Sequence, residues 1–336
     1  MDGEESGPDL EFARLAGEYL DDRAERHPEL ATGLGDHRFD NRLADPSAAA
    51  LADERRGLDG WAARLDALDR GSLTAEYRVD AAMMADSVAR RMFEIDELAE
   101  HTWNPLLANP GRAIYQLLAR DFAPLPDRLA SVAGRLAEVP AVLAEARRQL
   151  GAMPRVHLET ALGQFDGTIA LVGDQIEEAL AAAPECGARL AEVRPAALEA
   201  LAEHRAWLSA RLSCAAPGPD GDRNPRIGPE LFARKLSLTL SAAADADAIL
   251  ARAQADLDRV SEEIAAHDHQ RHPRRPDPRA RHDRGGSDDA DDRPRSPGGG
   301  RGSGQVAAGS AHFGPAVHLL RRVLRGLRPG GGPEGG

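Results

Sequence analysis

Aromatic side chains make up only 4% of this 336-residue sequence, and cysteine occurs twice. A core so poor in rings must be built mainly from Leu, Ala and Val, which suits close-packed helices better than a sheet and predicts an all-α fold. Cys186 and Cys214 belong to no Cys-x-x-Cys pair, so a disulfide framework is not expected and both read as packing residues. No stretch of about 20 apolar residues occurs, so no transmembrane segment is expected. The opening Met-Asp-Gly-Glu-Glu-Ser is acidic and leads into an amphipathic stretch. It lacks the apolar core of a signal peptide, and a cytoplasmic location is the expectation. Lysine is almost missing too, Lys235 being the single one among 42 basic residues. Against 55 acidic residues the net charge is -13. That argues against nucleic acid as a partner of the folded part, because phosphate binding needs a basic face.

What is present divides near His267. Residues 1–267 are acidic and rich in Ala, Leu and Glu, with net charge -18, whereas residues 268–336 carry net charge +5. In that last segment 36 of 69 residues are Gly, Arg or Pro. A segment so poor in large apolar groups buries too little surface to offset its chain entropy, so residues 268–336 are expected to be a disordered tail and residues 1–267 a helical domain. Within the tail, residues 315–328 place Val317, Leu320, Leu324 and Leu327 on one face and Arg321, Arg322, Arg325 and Arg328 largely on the other. This is a basic amphipathic pattern, suited to an acidic partner or an anionic membrane surface.

The acidic part has helical periodicity throughout. Residues 9–26 carry Leu10, Phe12, Leu15, Ala16, Tyr19 and Leu20 at three- and four-residue spacings, ending at His27-Pro28. Asp45-Pro46-Ser47 predicts an N-cap with proline at the first helical position, and Thr74 caps the following helix, which runs toward residues 100–103. Residues 33–40 form a loop. Further helices are expected over 113–118, 125–150 with a kink at Pro140, 157–183, 187–212, from Pro229, and over 245–266.

The chemistry expected of common catalytic motifs is missing. There is no His-Glu-x-x-His, no Gly-x-Ser-x-Gly and no phosphate-binding loop. His157-Leu158-Glu159 has the wrong spacing for a zinc site and reads as a helix-start histidine satisfied by its surroundings. His267, His269 and His272 have metal-like spacing but lie where the folded pattern ends, without a second shell to orient them. Paired acids such as Asp21-Asp22, Glu177-Glu178 and Asp245 with Asp247 read as solvated helix faces. No metal ligand, cofactor site or catalytic residue is assigned. The one loop that stands out is Trp103-Asn104-Pro105-Leu106-Leu107-Ala108-Asn109-Pro110-Gly111. It makes Trp103, Asn104 and Asn109 candidates for lining a cleft, against the plainer reading of a helix connection whose Trp packs in the core.

Several ordered segments carry a resemblance. They are His27-Pro28 with Gly33-Leu34-Gly35-Asp36-His37-Arg38-Phe39-Asp40, Trp103-Asn104-Pro105 with Asn109-Pro110-Gly111, Leu117-Leu118-Ala119-Arg120-Asp121-Phe122, Met153-Pro154-Arg155-Val156-His157, and Gly228-Pro229-Glu230-Leu231-Phe232-Ala233-Arg234-Lys235-Leu236. Over about residues 10–266 the chain resembles the N-terminal half of the bacterial domain-of-unknown-function 885 (DUF885) family. The resemblance implies a mainly helical protein related to zincin-type metallopeptidases, whose full-length members carry a His-Glu-x-x-His-type motif downstream of the Gly-Pro-Glu-Leu segment. Zinc is implied for those relatives, and no position of this chain inherits a ligand or general-base role. The expectation is a truncated, catalytically inactive member, its Arg-rich tail being the product of a reading-frame shift near codon 267. Apolar helix faces left uncovered would favour self-association. The alternative is a non-enzymatic helical interaction module whose basic tail binds an acidic partner or membrane.

Overall fold

The computed structural model describes residues 7–218, 220–240 and 245–271. Of the expected disordered tail, residues 268–336, the part from His272 on, with its 315–328 segment, lies outside the described residues, and residues 268–271 are helical. Among the described residues the secondary structure is helical and no strand occurs, only an isolated bridge between Pro154 and Gly221. The chain divides into two compact units, the first running to Ala242 and the second starting at Ala243.

In the first unit, α1 (Gly7–Arg26), α3 (Ala48–Asp66) and α4 (Ala75–Phe93) enclose one apolar cluster. Phe12, Tyr19, Leu65 and Met84 are its largest fully buried members. Two edge-to-face ring contacts, Phe12 with Tyr77 and Tyr19 with Trp61, sit within it. A second and larger cluster is made by α5 (Gly111–Ala119), α6 (Leu125–Gln149), α7 (Arg155–Ala170), α8 (Ile176–Ala182) and α9 (Gly187–Cys214). Here the rings are few and Leu dominates, as the composition predicts. α10 (Pro229–Leu240) packs beside α4.

Several boundaries differ from the expectation for identifiable reasons. A short helix, α2 (Pro28–Leu34), follows α1 and ends on Gly35 in the left-handed region at φ 91°. The cap of α3 is Ser47, whose hydroxyl accepts from Ala50 N at 3.1 Å, while Asp45 holds Ser47 N at 2.8 Å and Pro46 stays outside the helix. Pro140 and Pro195 both lie inside continuous helices, α6 and α9. The helix after Thr74 does not run on to residue 103. It widens into a π-turn over Glu94–Leu98 and stops at Ala99, the only non-glycine described residue with positive φ (44°).

The signature loop between α2 and α3 is fastened from below by α6. Arg135, fully buried, donates to Arg42 O at 3.0 Å, to Ala113 O, and to Thr32 Oγ1 at 2.6 Å. Thr32 passes its own hydrogen to Asp40 Oδ1 at 2.6 Å, and Asp40 Oδ2 pairs with His37 Nδ1 at 2.9 Å. The His37 ring stacks on Phe122 with centroids 3.9 Å apart. One residue before Arg135, a Cβ on Gly134 would stand 2.5 Å from Asn41 O, so only glycine lets the loop lie this close to the helix.

The second unit is described by α11 (Ala246–Arg271). The helix runs through His267 and four residues further, so the compositional break does not coincide with a helix end.

Candidate functional site

The π-turn and the left-handed Ala99 turn the chain sharply, so that the short 3₁₀ turn Glu100–Thr102 delivers Glu100, Trp103 and Asn104 to one cleft. Its volume is about 730 Å³, and its other walls are His157 at the start of α7, the 225–228 loop, and Phe232 and Lys235 on α10. Three of the segments noted in the sequence therefore converge here from positions more than fifty residues apart.

Trp103 is buried, with Nε1 donating to Leu98 O at 2.9 Å. Its ring lies nearly parallel to that of His157, centroids 5.5 Å apart, and the Arg223 guanidinium sits 4.6 Å from the Trp103 ring centre. Asn104 caps the next 3₁₀ turn by accepting from Leu106 N at 3.2 Å, while its amide donates to Glu100 Oε2 at 3.0 Å. The other oxygen of Glu100 meets Lys235 Nζ at 3.2 Å. Phe232 is half exposed.

His157 departs from expectation. Its Nδ1 is buried without a hydrogen-bond partner, so the helix-start setting does not satisfy it. Burial lowers its pKa and so favours a neutral imidazole, while the negative charge of Glu100 works the other way. Of the residues singled out from the sequence, Trp103 and Asn104 lie at this cleft and Asn109 does not. Asn109 accepts from Gly111 N at 2.8 Å and from Thr168 Oγ1 at 2.7 Å, tying the start of α5 to α7, and borders a separate cavity near Arg112 and Gln116. His157, Phe232 and Lys235 were missed as cleft residues, because nothing local marks them. Their co-occurrence in ordered segments was the available signal.

Among the described residues no group of three His, Cys, Asp or Glu side chains could hold a metal ion. At this cleft His157 and Glu100 are the only such side chains, and Glu100 is committed to Asn104 and Lys235. The residues present do not fit the zinc that the resemblance implies for full-length relatives.

Residues 28–296 match the family described as "Bacterial protein of unknown function (DUF885)". The chain belongs to the DUF885 family. The match starts with the first of the motifs rather than near residue 10 and continues past His267 to residue 296, so the family likeness is not cut at the compositional break. No curated protein matches the chain. Among solved structures, a provisionally assigned lipoprotein of unknown function from Shewanella oneidensis is similar, at 26% identity and a TM-score of 0.66. The similarity covers 78% of this DUF885 chain but 48% of the Shewanella protein, so this chain spans about half the length of that relative. The lipoprotein description belongs to that protein, and it does not favour the cytoplasmic location expected here. For this chain, no described helix is long and apolar enough to cross a membrane.

Proposed function

We propose that this chain is the N-terminal, cleft-forming half of a metallopeptidase-like DUF885 hydrolase, that it binds a ligand at the Trp103–His157 cleft, and that it does not hydrolyse substrates by itself. The observation that carries this reading is the convergence of three family-like segments on one cleft, with His157 as one of its walls. Buried polar atoms are nearly always paired, and His157 Nδ1 in this wall is not, so the fold leaves polar capacity unused beside the cleft. The lining selects the ligand class. Trp103 and Phe232 offer apolar and aromatic surface, Lys235 and Arg226 supply positive charge, and Glu100 is the only acid. A carboxylate attached to an aromatic or apolar group, such as the end of a peptide, suits such a site. The absence of any His-Glu-x-x-His in the 336 residues supports binding without zinc-dependent cleavage.

The test is calorimetric titration with N-acetyl-phenylalanine against N-acetyl-phenylalaninamide, which differ in the carboxylate alone. The acid should bind ~tenfold more tightly than the amide, and Lys235→Glu should erase the difference. Equal binding, or none, sinks the cleft reading. Peptide and ester substrates should be left intact with zinc and with chelator alike; chelator-sensitive turnover would contradict the inactive assignment. The expected reading-frame shift has its own check, set against a family likeness that continues in this frame to residue 296. Translation of the coding DNA in its other two frames beyond codon 267 should restore a family-like continuation with a His-Glu motif, and failure in both frames ends that idea.

A further inference from the structure

The cleft contains an ion pair of its own. Glu100 and Lys235 both line it, and Glu100 Oε1 meets Lys235 Nζ at 3.2 Å. Asn104 orients the carboxylate by donating to Oε2 at 3.0 Å, which leaves Oε1 for Lys235. Glu100 is the more sheltered partner, its side chain 26% exposed against 47% for Lys235. Although α10 has no buried residue, Lys235 is not its only tether to the body. Arg234 pairs with Glu97, and its guanidinium lies 5.2 Å from the Phe93 ring centre. Lys235 is therefore able to exchange partners while α10 stays docked.

We propose that the ligand of this cleft is a free α-amino acid with an aromatic or large apolar side chain, its carboxylate on Lys235 and its ammonium on Glu100; this rests on the reading of the cleft as a ligand site. A ligand that carries only a carboxylate takes Lys235 away from Glu100. The Glu100 charge, only a quarter exposed, is then left with Asn104 alone, and that loss offsets part of what the ligand gains. A ligand that carries only an ammonium has the mirror problem, because it occupies Glu100 and releases Lys235. A zwitterion replaces both partners at once. Its ammonium and carboxylate hang from one carbon, at a separation close to that of the Glu100 and Lys235 charges, so its dipole lies antiparallel to the pair and every charge keeps an opposite neighbour. A peptide does not do this, since its two termini lie too far apart to replace a single ion pair. Arg226 is no substitute for Lys235. Its side chain is 81% exposed and 3.9 Å from Asp220, a setting in which ion pairs contribute little. Phe232, half exposed in the cleft wall, is the apolar surface available to the side chain of the amino acid.

The test is calorimetric titration of the full chain with phenylalanine, N-acetyl-phenylalanine and phenylalaninamide, at a pH where the amine of the last is protonated. Phenylalanine should bind ~tenfold more tightly than either singly charged ligand. Glu100→Gln keeps an oxygen for Asn104 and removes the charge. N-acetyl-phenylalanine should then gain several-fold, and phenylalanine should fall to the same affinity. Lys235→Gln should act in the opposite sense, raising the affinity for phenylalaninamide several-fold. The order of the three ligands on the unaltered protein needs neither variant, so a variant that fails to fold does not remove the test. Phenylalanine binding no more tightly than N-acetyl-phenylalanine overturns the inference, as does an unchanged affinity for the singly charged ligands in both variants. If N-acetyl-phenylalanine still outbinds N-acetyl-phenylalaninamide, the cleft reading survives that outcome and only the zwitterion is lost. If none of these ligands binds, both are lost together.

Discussion

The signature loop over residues 27–46 and the Trp103–His157 cleft are both built from family-like segments, yet they are finished differently. In the loop the buried groups close on each other. Arg135 serves three acceptors, Thr32 relays to Asp40, and Asp40 holds His37. Beside the cleft, the segment Pro154–His157 leaves two buried side-chain atoms without partners, Nδ1 of the cleft residue His157 and Nε of Arg155, which does not line it. The difference teaches that the density of recognisable residues does not locate a binding site. A segment whose polar atoms are all answered by the fold is there for folding, and one that stops short of that has chemistry left for something else.

The comparison breaks most directly at Arg135. Replacing it with Leu keeps the volume of the stem but strands two backbone carbonyls, takes from Thr32 Oγ1 its donor, and removes the positive charge near Asp40. The expected loss is on the order of 3–5 kcal/mol in urea unfolding, the range for removing one member of a buried charge network. A loss below about 1 kcal/mol would mean that the loop is not fastened through this residue.

How much of this was legible beforehand follows from the kind of signal each part carries. The helices were readable because 3.6-residue periodicity survives in a Leu/Ala core, and α10 and α11 begin close to the positions expected from Pro229 and Asp245. The π-turn at Glu94–Leu98 was not, because a one-residue widening leaves the apolar period almost unchanged. Trp103 and Asn104 could be picked out by the density of turn residues around them. Asn109 had the same local look, but Thr168, 59 residues later, takes up its side chain, and no local pattern records such a partner. His157, Phe232 and Lys235 become neighbours of Trp103 only through the packing of α4, α7 and α10.

His204 sharpens the comparison, since an unpartnered nitrogen alone does not make a site. Neither ring nitrogen makes a well-formed hydrogen bond, the Leu143 backbone offering only a weak one, yet the residue is fully buried against Phe165 and Trp207 and lines none of the cavities described above. Burial, with help from the nearby charge of Arg147, lowers its pKa to about 4 from an ordinary 6.5. The unfolded chain therefore takes up this proton more readily than the folded protein. Stability is unaffected above pH 6.5, falls as pH drops toward 4, and levels off below that, with a total loss of about 3 kcal/mol from this group. Denaturant midpoints measured from pH 7 to 4 should show the fall, and His204→Phe should flatten it. An unchanged slope in that variant would place the acid sensitivity elsewhere.

The smallest effect on stability should come from the cleft itself, and there it is the smallness that matters. Phe232 is 48% exposed and Lys235 sits at the rim, so Phe232→Ala and Lys235→Glu remove little buried surface and leave no stranded partner except Glu100. Each should shift unfolding by no more than about 0.5 kcal/mol. The same two changes should weaken N-acetyl-phenylalanine binding by ~tenfold each, because one removes the apolar wall and the other the charge that meets the carboxylate. Arg135→Leu, checked at temperatures where the variant is still folded, should leave that affinity unchanged, since no residue of its network lines the cleft. A binding loss that followed stability across all three variants would make the cleft another structural junction and erase the distinction from the loop. Loss of binding at constant stability in the two cleft variants is what a site reserved for a ligand requires.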